Sequence, residues 1–126
     1  MGYTFIYKTK AFTSLVKKDA LSDNDLIKAC REMKDGLFET DLGSNLYKKR
    51  VSVGSKGKSG GFRTIVGAEI GDRYFFLYAF PKNKRANINP KEKVALKELA
   101  KTFVGFDQSM LKHLVATGEI IEVGDI

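Results

Sequence analysis

The residues of this chain that could do chemistry are its lysines and arginines. Three groups stand out: Lys48-Lys49-Arg50, Arg63, and Lys82, Lys84 and Arg85 within Pro81-Lys82-Asn83-Lys84-Arg85. Arg63 sits in an alternating stretch, on the side opposite Phe62 and Thr64. Antiparallel pairing of these strands would carry Arg50, Arg63 and Lys82 onto one sheet face, where alternation also puts Tyr78 and Phe80. Cations beside aromatic rings suit RNA, because phosphates meet the charges and bases stack on the rings. Cleaving RNA without a metal asks for more. A 2′-hydroxyl must be aligned with its phosphate, charge on that phosphate must be stabilised, and the leaving 5′-oxygen needs a proton. Arginine supplies the second through a rigid fork that meets two phosphate oxygens. Lysine moves protons when neighbouring positive charge or burial lowers its pKa, as the Lys82–Arg85 cluster could arrange. On the residues alone, binding is preferred over catalysis.

Other routes to chemistry are closed or weak. His113 is the single histidine, in a C-terminal helical stretch, and reads as a surface or packing residue. Cys30 is the single cysteine, at helical spacing with Leu26 and Met33, and reads as packing rather than nucleophilic. No His/Cys/Asp/Glu grouping has metal-ligand spacing, so neither metal nor cofactor is expected. Gly57-Lys58-Ser59 resembles the end of a phosphate-binding loop. That motif needs glycine where Ser52 stands and a helix afterwards, whereas residues Phe62 to Ala68 alternate as a strand. Gly54 to Gly61 therefore reads as a hairpin loop, with Lys56 and Lys58 able to follow a phosphate backbone.

Charge and composition agree with a polyanion partner. The net charge is +7, and Lys48 to Lys101 holds 14 of the 22 Lys and Arg residues but 4 of the 15 Asp and Glu. A basic middle between mildly acidic ends suggests one face built for a polyanion, although a solvated basic surface gives the same numbers. At 126 residues, residues 1–126 are expected to form a single domain with its own core. No apolar run approaches bilayer length and no secretory signal is read, so no membrane association and a cytoplasmic location are expected. One cysteine permits no internal disulfide, which fits a reducing compartment.

The elements that must position these residues are legible as α+β. Tyr3 to Tyr7 reads as a strand. Thr9 caps a short helix with Phe12, Leu15 and Val16 on one face. Ser22 and Asp25 form a capping box for a helix that runs through Leu26, Cys30, Met33 and Leu37, with Gly36 placed to end it. Leu46 to Val53 and Phe62 to Ala68 read as strands, with Tyr47, Val51 and Val53 opposite Lys48, Arg50 and Ser52. Tyr74 to Phe80 is apolar on both sides, which predicts a central strand with helices on one face and a functional surface on the other. Asn89-Pro90-Lys91-Glu92 opens a helix with Val94, Leu96, Leu99, Ala100 and Phe103 on its apolar side. A last helix over Ser109 to Thr117 and an extended tail, Glu119 to Val123, follow.

Taken in order, several of these pieces resemble a known family. They are Lys8-Thr9-Lys10-Ala11-Phe12, Gly36-Leu37 with Asp41-Leu42-Gly43, Leu46-Tyr47-Lys48-Lys49-Arg50-Val51, Gly57-Lys58-Ser59-Gly60-Gly61-Phe62-Arg63-Thr64, Phe80-Pro81-Lys82-Asn83-Lys84-Arg85-Ala86-Asn87-Ile88, and Gly118-Glu119-Ile120-Ile121-Glu122-Val123. Their order and spacing resemble the RelE-like toxins of type II toxin–antitoxin systems, in the HigB-like branch. The resemblance implies a compact, antiparallel-rich sheet flanked by helices, here with an added C-terminal helix and tail. It implies an endoribonuclease that enters the ribosomal A site and cuts mRNA. It also implies an antitoxin partner, commonly a helix-turn-helix protein. Arg63 matches the family's strand arginine, implying phosphate stabilisation, and Lys82 matches the lysine after the central strand, implying proton transfer or phosphate contact. Lys48, Lys49, Arg50, Lys56, Lys58, Tyr78, Lys84 and Arg85 complete the expected RNA surface. The chain departs from the pattern at Pro81, and at Lys84 where an acidic residue is common, and it shows no tyrosine equivalent that would name the general base. Two other functions stay open: a non-catalytic RNA- or protein-binding relative, and a gyrase poison like the ParE proteins that share the fold.

Overall fold

The computed structural model describes residues 4–17, 21–53, 61–81, 85 and 87–125. The elements run β1 (Phe5–Thr9), α1 (Lys10–Leu15), α2 (Asp23–Lys34), β2 (Thr40–Gly43), β3 (Leu46–Val51), β4 (Phe62–Glu69), β5 (Arg73–Pro81), α3 (Pro90–Gly105), α4 (Gln108–Thr117) and β6 (Ile120–Asp125). The strands form one sheet in the order β2-β3-β4-β5-β1-β6. Every neighbouring pair is antiparallel except β1 with β5. The fold is α+β.

The helix starts follow from local hydrogen bonding. Backbone N–H groups at a helix N-terminus lack intrahelical partners, and a short polar side chain before the helix accepts from one of them. Thr9 Oγ1 accepts from the Phe12 amide at 3.1 Å. Ser22 and Asp25 exchange both bonds of a capping box, at 3.2 and 2.9 Å. Asn89 and Glu92 do the same, both at 2.8 Å. Gly36 adopts φ +85°, a conformation that suits glycine, and closes α2 by donating to the Met33 carbonyl.

Two apolar layers cover the sheet. On one face α1 and α2 bury Phe12, Leu26, Cys30 and Met33 against Val51, Val66, Tyr74 and Phe76. On the other, α3 and α4 bury Leu96, Ala100, Phe103 and Leu111 against Leu46, Ile65, Phe75 and Phe80. Phe75 has ring centroids 5.2 Å away on either side, from Tyr7 and from Phe103. Where α3 crosses β4 the backbones meet closely: a Cβ on Gly67 would stand 2.9 Å from the Ala100 Cβ. Arg73 fastens the far end of α3, donating to the Phe106 carbonyl at 2.6 Å while pairing with Asp72.

The strand β5 corrects the expectation of one covered and one open face, since helices cover both. It also departs from simple alternation. Ile65 pairs with Tyr78 but Val66 pairs with Phe76, so Leu77 is an extra residue, a β-bulge. Tyr74 and Phe76 consequently face α1 and α2, whereas Leu77, Tyr78 and Phe80 face α3. Other apolar positions assigned to the core by spacing are exposed: Leu15, Leu37, Val94 and Leu99 are between 38 and 66% accessible. Leu37 also lies beyond the end of α2, after the Gly36 turn.

Candidate nucleic-acid interface

The register of β3, β4 and β5 assembles the basic residues. Antiparallel pairing puts Arg50 directly opposite Arg63, and Arg63 directly opposite Phe80. Directly opposed residues point to the same side, so Arg50, Arg63 and Phe80 form a row across three strands on the α3 face. Lys48 and Tyr78, both opposite Ile65, share that face one step along. This end of the sheet is where β3 stops, β4 starts, β5 stops and α3 begins.

Two like charges directly opposed across a ladder are destabilising, and a nearby anion offsets part of that cost. Glu39, just before β2, reaches across β3 and places its Oε1 3.4 Å from the Arg63 Nε. The Arg63 side chain is 17% exposed. The Arg50 Nε is buried and has no hydrogen-bond acceptor among the described residues. Arg50 also borders a wide, open depression at the edge of the sheet, with Glu32, Leu37, Glu39, Lys49 and Ser52.

Lys49 is not brought into the row. It points to the opposite face, where it is buried and ion-paired with Glu32 at 2.8 Å. Arg85 is brought in, by a different route. Its guanidinium lies over the Phe80 ring, 5.2 Å from the centroid. It donates to both carboxylate oxygens of Glu92, and its Nη1 lies 3.4 Å from the Tyr78 hydroxyl. The hydrogen bonds from Arg85, and then from the Asn89 amide, hold the Glu92 carboxyl below the usual carboxylate range. The same pairing raises Arg85. Lys56, Lys58, Lys82 and Lys84 lie outside the described residues. Lys82 follows β5 directly in sequence.

The bystander groups stay apart from this row. His113 is on the exposed side of α4, which packs on β6 at the other edge of the sheet. No group of three or more potential metal ligands occurs among the described residues. Cys30 is fully buried, and desolvation pushes its thiol far above the usual range. A thiol held neutral and covered is a poor nucleophile. Ellman's reagent at mildly alkaline pH will therefore leave the folded chain unlabelled and react once the chain is unfolded; rapid labelling of the folded chain would contradict this packing.

Glu39 is the functional candidate that sequence reasoning missed. It falls in the irregular stretch between α2 and β2, where no periodicity assigns it a face. Its one signal is an acidic residue close in sequence to the basic strand β3.

The comparison with known proteins settles the kinship. The family model for the RelE toxin of the RelE/RelB toxin-antitoxin system matches residues 4–123. The chain belongs to the RelE toxin family. The match spans all ten elements, from β1 into β6. Among curated proteins, none matches the chain significantly. RelE membership makes this a toxin of a toxin–antitoxin pair and implies a cognate antitoxin. No helix among the described residues is long and apolar enough to cross a membrane.

Proposed function

We propose that this RelE-family toxin is an endoribonuclease that cuts mRNA in the ribosomal A site by attack of a 2′-hydroxyl on the adjacent phosphate, without a metal. The observation that carries this reading is the Arg50–Arg63 pair with Glu39 against it. In-line attack places extra negative charge on the phosphate oxygens, and two adjacent guanidinium groups meet that charge with planar, preorganised donors. Glu39 is the acceptor this reading names for the 2′-hydroxyl proton: a carboxylate already held against the arginine that takes the phosphate. Lys82, directly after β5, is the donor it names for the leaving 5′-oxygen. Lys48, and by sequence Lys56, Lys58 and Lys84, are the cations this reading assigns to the RNA backbone. The ribosome with its mRNA is the substrate, the work is cytoplasmic, and the antitoxin is a helix-turn-helix protein.

Primer extension on cellular mRNA after brief induction of this chain alone tests the reading. New 5′ ends inside translated frames, absent when initiation is blocked, are expected. Growth arrest with unchanged mRNA ends would overturn the proposal in favour of another target such as gyrase, and neither arrest nor cleavage would favour a non-catalytic binding relative.

A further inference from the structure

Phe80 looks available for base stacking in the sequence, but only 4% of it is accessible. Arg85 covers it. The Arg85 guanidinium is held above the ring by several contacts. Three constraints act on one planar group: the aromatic ring beneath, the two-point contact with Glu92 along one edge, and the Tyr78 hydroxyl near Nη1. Glu92 is itself anchored, since the same carboxylate accepts from the Asn89 amide and caps α3. With its Cζ over Phe80 and its edge held by Glu92, the Arg85 side chain still remains 35% exposed.

We propose that the Arg85 guanidinium is a nucleobase-stacking platform, with its inner face on Phe80, its edge held by Glu92, and its outer face taking an unpaired base of the bound RNA. The proposal rests on the RNA-binding reading above and deepens it. A guanidinium plane stacks on a base as an aromatic ring does, and single-stranded RNA is recognised through such contacts because its bases can splay out. Position supports the assignment. Phe80 is the direct cross-strand partner of Arg63, so the platform lies next to the phosphate site. Phosphate and base of neighbouring nucleotides would then be held by adjacent groups on one face. Stacking requires the plane and not only the charge, which separates this role from a simple phosphate contact.

Arg85→Lys keeps the charge and removes the plane, and Glu92→Gln keeps an acceptor for the α3 cap while weakening the hold on Arg85. Binding of the purified full-length chain is measured to two probes of matched charge: a short 2′-O-methyl RNA of mixed sequence, and inorganic polyphosphate, which has no bases. Arg85→Lys is expected to lose roughly tenfold in affinity for the RNA, the order of one stacked base, with polyphosphate affinity unchanged. Glu92→Gln should fall between Arg85→Lys and the unaltered chain. Equal losses on both probes, or an Arg85→Lys chain that binds RNA as the unaltered one does, would overturn the platform. Arg63→Ala serves as the separate control. If it leaves RNA affinity untouched, the RNA-binding reading fails; if it weakens RNA while Arg85→Lys does not, only the platform fails.

Discussion

On the proposed activity, cells that induce the Arg63→Ala chain will keep growing, and their mRNAs will lack the new 5′ ends expected of the unaltered chain. Arg63 stands between Arg50 and Phe80 in the row across β3, β4 and β5, and Glu39 holds its Nε side. On that reading, alanine there removes a guanidinium that meets the charge building on the phosphate. Loss of one preorganised donor of this kind costs about 10²–10³-fold in rate. The fold should survive, because the substitution deletes one of two like charges facing each other across a ladder. Its melting temperature is therefore expected within roughly a few degrees of the parent. Arg63→Lys, which keeps the charge but lacks the fork, should recover only part of the activity. Undiminished cleavage by a folded Arg63→Ala chain would remove Arg63 from the mechanism.

Gly67→Ala will lower stability by about 1–3 kcal/mol, the usual cost of overpacking. The corresponding fall in melting temperature is roughly 5–15 °C, read by thermal melts followed by circular dichroism. The general expectation runs the other way, since alanine in a strand interior normally improves on glycine by restricting the unfolded chain. Position 67 reverses the sign. A new methyl would stand 2.9 Å from the Ala100 Cβ, 3.1 Å from its Cα and 3.3 Å from the Leu77 Cδ1. The middle contact is backbone, so the helix α3 must lift off β4. Its apolar layer, including Leu96 and Phe103, would lift with it. Ala100→Gly makes room, at about 1 kcal/mol of helix propensity. The double variant should be more stable than the sum of the two losses predicts. Additive losses would show that the approach of α3 to β4 is not what excludes a side chain at Gly67.

Most of the architecture was legible because it depends on short-range rules. Thr9, the Ser22–Asp25 box and the Asn89–Glu92 box each mark a helix start that the structure contains, and Arg50, Arg63 and Phe62 face as alternation assigns them. What escaped depends on context. The strand β2, Thr40–Gly43, is a short, polar, largely exposed edge strand with no apolar period to reveal it. Leu37, Val94 and Leu99 fit helical spacing, but spacing does not say how wide a stripe the sheet will cover. At the site, strand register was enough to bring Arg50 and Arg63 together. Sequence adjacency groups Lys49 with its neighbours, although the period of a strand turns it to the other face, where it pairs with Glu32. Glu39 needed the tertiary structure, since its partner comes from two strands away.

The bulge at Leu77 makes the chain's tolerance of length changes asymmetric. Tyr74, Phe76, Tyr78 and Phe80 have the same parity, yet two serve one helical layer and two the other. Loss of one residue at position 77 would leave each flanking partnership as it stands, 65 with 78 and 66 with 76, on a plain ladder. A residue gained there has only a wider bulge or a reversal available, and reversal would send Tyr78 and Phe80 to the wrong side. Deletions at this point cost packing, whereas insertions threaten the floor on which Arg85 rests.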